Sequence, residues 1–261
     1  WGTFMPVGIA GVMLGAPLIT ALGWRGFWLA NAAVLAAYAA LLAFGTRGVP
    51  PATARGRSIA EDVRRTLASG GPWLLAVLFA AFTAAYFAVF GFLPSILTDR
   101  LAVAPETGGL LTAVAVAANA SGNIGCGLLL TRGVRRTNIL LIGFGVMALC
   151  GFGILAEGVP GAAAYALCVV FSAVGGLVPV ALIDAAPRHA PRPDLVGATV
   201  GFLMQGNNVG LTLGPAAAGA LAAASGWPMV SSLVAVIAAV AGLLTLALRT
   251  RPAEAARLSC L

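Results

Sequence analysis

Inside long apolar stretches of this chain, two groups of neutral polar side chains recur at helical spacing. Asn119 and Asn123 are four residues apart, which on a helix places both on one face, with Ser121 off it. Gln205, Asn208 and Thr212 repeat at three and four, with Asn207 beside them. An unpaired amide in hydrocarbon costs about 1 to 3 kcal/mol, so each must meet either a partner helix or a wet cavity. Two readings stay open. One is interhelical hydrogen bonding, worth about 0.6 kcal/mol per contact. The other is contact with a polar solute, for which Asn119, Asn123, Gln205 and Asn208 are the candidates.

Charged chemistry is placed differently. The eight acids, Glu61, Asp62, Asp99, Glu106, Glu157, Asp184, Asp194 and Glu254, fall in loops, at the ends of apolar segments or in the tail. A proton relay needs an ionisable group facing a helix-bundle interior, and in this sequence only Asp184, on a rim, comes near that position. Asp184 reads more simply as an interfacial residue near Arg188 and Arg192. An enzyme would need a nucleophile with its base, or a cluster of acids or histidines at one depth. The single histidine, His189, is five residues from both Asp184 and Asp194, has no ligand-like spacing, and reads as a solvated loop residue. Cys126, Cys150 and Cys168 lie in apolar segments and Cys260 in the tail, so they read as small core residues. A nucleotide-hydrolysing Gly-x-x-x-x-Gly-Lys-Ser/Thr loop is ruled out by a chain without lysine. No catalytic residue, metal or cofactor is expected.

The elements that position the amides must be membrane helices. At 60% hydrophobic and 9% charged over 261 residues, the chain has too little polar surface for a soluble globule. Eight apolar spans are expected: 3–22, 27–44, 73–93, 109–130, 139–156, 162–183, 197–223 and 229–248. All 15 positive charges are arginine, and 13 fall in alternate gaps: the 45–72 and 131–138 loops, 184–196, and the tail from Arg249. Only Arg25 and Arg100 fall in the others. Translocated loops resist arginine, so the basic side is the inside face. The net charge of +7 then anchors anionic lipid, and nucleic-acid binding is not expected. Between the spans, Ser58 and Glu61 have the spacing of a capping box that opens a short amphipathic helix on the inner membrane surface. The expected organisation is 1–44, the last two helices of one bundle; 45–72, a linker; 73–248, a six-helix bundle; and 249–261, a tail.

An internal repeat underlies that division. Gly11-x-x-x-Gly15-Ala-Pro17 is followed by a Gly23-Trp24 turn, and Gly210-x-x-x-Gly214-Pro215 by a Gly226-Trp227 turn. Both copies enter from the same side and stand six helices apart, so they are parallel repeats. Six spans per repeat imply twelve in all, four of them before Trp1. Gly206, Gly210 and Gly214 also form a small-residue ladder, suited either to static packing or to an interface sliding between bundles.

These features resemble the major facilitator superfamily, with this chain corresponding to its helices five to twelve. The Gly11/Gly15/Pro17 segment is similar to the glycine-proline motif of the fifth helix, prominent in efflux members, and Gly23-Trp24-Arg25 to the turn into the sixth. The run from Gly127 through Arg132, Arg135 and Arg136 resembles the basic loop between helices eight and nine. The family's loop aspartate is Thr131 here and its second glycine Val134, so no ion pair through that loop is carried over. Phe90-Gly-Phe-Leu-Pro94 resembles the outer end of helix seven. By position Tyr86 then lies on a cavity-lining helix, either touching solute or packing. The Gly175-Gly-Leu-Val-Pro179 run kinks the gate-like tenth helix, as a hinge or a simple bend.

The resemblance implies an all-α polytopic membrane protein and secondary transport of a small organic solute by alternating access, as efflux or proton-coupled exchange. The alternatives are an uptake permease or facilitator for small anions or neutral solutes, and a non-transporting receptor. Its implied partners are the solute, a coupling proton and membrane lipid, in a monomer of the bacterial cytoplasmic membrane with basic loops and C-terminus inside.

Overall fold

The computed structural model describes residues 16–48, 58–156 and 158–249. Among them every regular element is helical: α1 (Ala16–Gly45), α2 (Ile59–Leu67), α3 (Gly70–Phe90), α4 (Leu93–Leu101), α5 (Pro105–Ala117), α6 (Asn119–Thr131), α7 (Arg136–Ile154), α8 (Gly161–Gly175), α9 (Leu177–His189), α10 (Val196–Ser225) and α11 (Trp227–Leu244). Six segments are long and apolar enough to cross a bilayer: Leu22–Gly45, Gly70–Leu101, Pro105–Thr131, Arg136–Ile154, Gly161–His189 and Trp227–Leu248. Of the eight expected spans, the first lies largely outside the described residues. The seventh is α10, 30 residues long, whose glycines and the amides Gln205, Asn207 and Asn208 keep its hydropathy lower.

Three spans are broken along their length. After α3 the chain turns at Gly91 and restarts at α4, with Pro94 in its first turn, so this span runs on to Leu101 rather than ending near Leu93. The α8–α9 span is interrupted at Gly176, because Pro179 has no N–H for the Gly175 carbonyl and its ring crowds that turn. Opposite it, the α5–α6 span is interrupted at Ala118. The two breaks touch. A methyl group on Gly176 would lie 2.2 Å from the Asn119 carbonyl oxygen, and one on Gly122 would lie 1.9 Å from that of Ala173.

Helix ends identify which termini share a side of the bundle. Gly71, opening α3, is pressed against the His189 backbone closing α9, and Arg136, opening α7, meets Asp184 of α9. At the other end the Arg100 guanidinium donates to the carbonyls at and just after the end of α7, at 3.1 Å to Ile154, 2.9 Å to Leu155 and 3.3 Å to Ala156. The spans therefore alternate in direction, and the 131–138 and 184–196 segments lie at one end. Arg100 is tolerated at the opposite end because it satisfies carbonyls that α7 cannot bond internally.

α3 and α10 approach closely along several turns. Methyl groups on Gly206, Gly210 and Gly214 would lie 2.2, 2.2 and 2.4 Å from the carbonyl oxygens of Ala76, Ala80 and Ala84. The ladder of α10 therefore faces α3 along three successive turns. Small residues serve here because helices in lipid gain by packing, not by a hydrophobic drive. Across α7 and α11, the Ser231 hydroxyl lies against the carbonyls of Gly151 and Phe152, the second at 3.0 Å. No residue in the apolar window of α1 is buried.

Three local expectations are corrected. α2 begins after Ser58 as expected, but the Ser58 side chain makes no cap bond, and Glu61 instead accepts from Arg65 at 3.0 Å. His189 is in the last turn of α9, its Nδ1 3.0 Å from the Ala185 carbonyl, not in a solvated loop. Asp184 is likewise helical and pairs with Arg136, while Arg192 pairs with Asp194 at 3.1 Å.

Candidate functional site

Asn119 and Asn123, on one face of α6, point into the bundle and are buried, as the four-residue spacing implies. Together with α3 and α8 they form a polar chain with a direction. The Tyr86 hydroxyl lies 2.9 Å from the Ser172 hydroxyl. The Asn119 amide donates to the Ser172 carbonyl at 2.9 Å, and the Asn123 amide donates to the Asn119 side-chain oxygen at 3.0 Å and its backbone oxygen at 3.1 Å. Each amide's donor side is thereby committed, which fixes the Asn123 oxygen at the end of the chain. That Oδ1 is buried and has no hydrogen-bond partner among the described residues. A buried carbonyl left so costs about 1 to 3 kcal/mol. What the arrangement can do chemically is accept one hydrogen bond from an O–H or N–H group, beside the paired breaks in α5–α6 and α8–α9.

Tyr86 anchors this chain from an aromatic stack. Its ring lies parallel to Phe90 at 4.3 Å and 6°, with Phe82, Phe87 and Phe171 around it. The hydroxyl needs a partner at that depth, and Ser172 supplies one. Ser172 and Thr83 are the polar contributors that the amide spacing did not reveal. Thr83, on α3, lies 2.9 Å from the Phe79 carbonyl and 2.8 Å from the Asn207 oxygen on α10. Each is a lone hydroxyl in an apolar run, so periodicity gives no sign of it.

The second group splits by face. Asn207 turns inward to Thr83, whereas Gln205, Asn208 and Thr212 form an exposed row along α10, the Thr212 hydroxyl bonding back to the Asn208 carbonyl at 2.9 Å. The two groups are not brought together into one cluster. Gly210 and Gly214 occupy the opposite side of α10, while Pro215, seven residues after Asn208, lies near Gly91 at the α3–α4 turn.

At the basic end, α6 closes in a Schellman motif: Gly133, at φ 79°, donates to Leu130 at 3.0 Å, and Val134 donates to Leu129 at 3.0 Å. Arg132 and Arg135 are exposed on either side of this turn, and Thr131 bonds its own helix at Leu128. The next residue, Arg136, forms the ion pair with Asp184, so the basic loop is tied to α9 although it lacks an aspartate of its own. Pro179 is in the first turn of α9. Of the glycine-proline motif, Gly11 and Gly15 lie outside the described residues and Pro17 is in α1. Among the described residues no group of three or more His, Cys, Asp or Glu side chains is arranged to hold a metal.

The family model of the Major Facilitator Superfamily matches residues 1–204 of the chain. No curated protein matches it.

Proposed function

The chain belongs to the Major Facilitator Superfamily, a family of membrane transporters of small solutes, and from that premise we propose a secondary active transporter that moves a small organic solute by alternating access. The observation that carries this reading is the buried polar chain ending in the unpartnered Asn123 oxygen at two helix breaks. In hydrocarbon such an acceptor is costly unless something donates to it for part of the working cycle. Asn123 contacts the solute, Asn119 and Tyr86 hold it in register, and Gln205 and Asn208 contribute from α10, whose exposed amides suit a wet cavity and not lipid. Gly11, Gly15, Pro17, Pro179, Gly210, Gly214 and Pro215 shape the moving helices, and Arg132, Arg135 and Arg136 set the inner rim.

In this reading residues 1–44 belong to one bundle, 45–72 link it to the bundle of 73–248, and 249–261 form a tail. The arginine-rich end faces the cytoplasm of a bacterial cell, by the asymmetry of loop charge. The glycine-proline motif favours efflux by exchange with protons. The uncharged mid-span residues favour a second reading, a facilitator of small neutral solutes. Flux into proteoliposomes of the full-length protein, with and without a pH gradient, separates the two. Gradient-dependent flux supports exchange, gradient-independent flux the facilitator, and solute binding without flux would leave only a receptor.

A further inference from the structure

The amide chain on α6 has one possible orientation, and that fixes the kind of group its free end can meet. Ser172 contributes a backbone carbonyl, which only accepts, so the Asn119 side chain must turn its N–H toward it, at 2.9 Å, and its oxygen toward Asn123. The Asn123 amide then faces two further acceptors, the Asn119 side-chain oxygen at 3.0 Å and the Asn119 backbone carbonyl at 3.1 Å, and commits both of its N–H groups to them. Turning either amide over would set oxygen against oxygen. The Asn123 Oδ1 is thus an acceptor left without a donor among the described residues, on a residue only 4% exposed.

The helices around it carry no charge to balance a charged ligand. Residues 107–131, which hold the two asparagines, 158–183, which hold Ser172 and Gly176, and 70–98, which hold Tyr86, contain no Asp, Glu, Lys, Arg or His. Along α6 the first charge beyond Asn123 is Arg132, nine residues on, or about 13 Å at 1.5 Å per residue. Along α9 the first beyond Gly176 is Asp184, eight residues on and about 12 Å away, already paired with Arg136. A carboxylate or phosphate would bring acceptors to an acceptor, with no cation at hand. An ammonium group would donate, but it would enter with neither a countercharge nor an open ring face: Tyr86 is 6% exposed and covered by Phe90, parallel at 4.3 Å. Either ion would give up its hydration uncompensated, a larger cost than one hydrogen bond to a neutral amide returns. An uncharged donor loses little water and supplies the bond that Asn123 lacks.

We infer that the solute recognised at Asn123 is uncharged and carries a hydrogen-bond donor, an alcohol O–H or an amide N–H; this rests on the solute contact proposed for Asn123 and narrows it to a chemical class. Anions and organic cations are excluded, and so is a neutral analogue whose donor is capped. A site shaped to accept from an O–H group discriminates strongly against the analogue without it, because the buried acceptor then stays unpaired.

The test is binding to the full-length protein in nanodiscs, followed by saturation-transfer NMR titration, of four solutes on one skeleton: benzyl alcohol, benzyl methyl ether, benzoate and benzylammonium at neutral pH. The same titrations on Asn123→Ala isolate the binding that depends on Asn123. Expected is Asn123-dependent binding of the alcohol at least about tenfold tighter than that of the other three. Partition into lipid would rank the ether above the alcohol and would be the same in both proteins. Benzoate or benzylammonium bound as tightly as the alcohol, in an Asn123-dependent way, overturns the exclusion of charge. Equal binding of the ether overturns the need for a donor, and no Asn123-dependent binding of the alcohol overturns the inference as a whole. Should Asn123→Ala fail to fold, the ranking on the parent protein decides, since partition gives the opposite order for alcohol and ether. Transport is read separately. Asn123-dependent alcohol binding without solute flux in proteoliposomes would remove the transporter and keep the donor rule, whereas Asn123-dependent flux of benzoate would keep the transporter and remove the rule.

Discussion

Gly23 and Gly226 share one uncommon backbone conformation, φ 68° and ψ 165° at the first, φ 82° and ψ 169° at the second, and each hands the chain to a tryptophan. This region is open essentially to glycine alone. The two Gly-Trp turns are thus alike in geometry as well as in sequence, six spans apart, as expected of parallel repeats. A methyl group at Gly23 would meet nothing within 4 Å, so backbone strain is the main cost there. Gly226→Ala and Gly23→Ala are each expected to lose about 1 to 3 kcal/mol, seen as a lower apparent melting temperature in detergent. A Gly226→Ala protein that melts with the parent would show the turn indifferent to its backbone.

The α3–α10 contact predicts a graded series along one helix. At Gly210 an added methyl group would meet the Ala80 carbonyl at 2.2 Å, and backbone on both sides leaves nothing flexible to yield. Gly210→Ala should cost about 1 to 3 kcal/mol by overpacking and Gly210→Leu more. Gly201→Ala, with nothing within 4 Å, should be neutral or slightly stabilising. Thermal denaturation of the three variants checks the order; equal behaviour of Gly201→Ala and Gly210→Ala would refute the close approach.

Removing the Arg100 side chain should loosen the far end of α7. Its hydrogen bonds to Ile154, Leu155 and Ala156 are charge-assisted, the kind worth about 1.5 to 3 kcal/mol in all when lost from a semi-buried site. Arg100→Ala is expected to raise hydrogen exchange in the last turn of α7 while leaving α10 unchanged, and Arg100→Lys to recover only part of the protection, since an ammonium cannot span three carbonyls as a guanidinium does.

Arg136 and Asp184 join the start of α7 to α9 with side chains 27% and 38% exposed. At that exposure their coupling should be about 0.5 to 1 kcal/mol. A double-mutant cycle with Arg136→Gln and Asp184→Asn measures it, and the swapped pair Arg136→Asp with Asp184→Arg should restore what either reversal alone removes. Additive single effects would mean the pair does not couple the helices.

Asn119 and Asn123 should separate stability from transport. The Asn119 side chain donates to the Ser172 carbonyl and accepts from the Asn123 amide, so Asn119→Ala removes one buried hydrogen bond from each and should destabilise by about 1 to 3 kcal/mol. Asn123→Ala removes the unpartnered oxygen itself, so melting should shift less while solute flux falls by tenfold or more, or about 1.4 kcal/mol of lost solute interaction. Full flux in a folded Asn123→Ala protein would remove Asn123 from the solute path.

Residue order by itself determined the class of this protein. Apolar runs of bilayer length leave helices as the stable form, since backbone groups in hydrocarbon must bond within their own segment. The kink near Pro179 and the matched Gly-Trp turns were likewise readable, because proline and glycine act through local backbone geometry. Pairing across helices was not. Spacing places Asn119 with Asn123 on one face, but only packing supplies Ser172 and Tyr86 as neighbours and leaves one amide oxygen over. Only packing turns the glycine ladder of α10 onto α3 instead of outward, and joins Arg136 to Asp184, 48 residues away. Those relations rest on which helix lies beside which, and helical periodicity describes a single helix's own faces, not the identity of its neighbour.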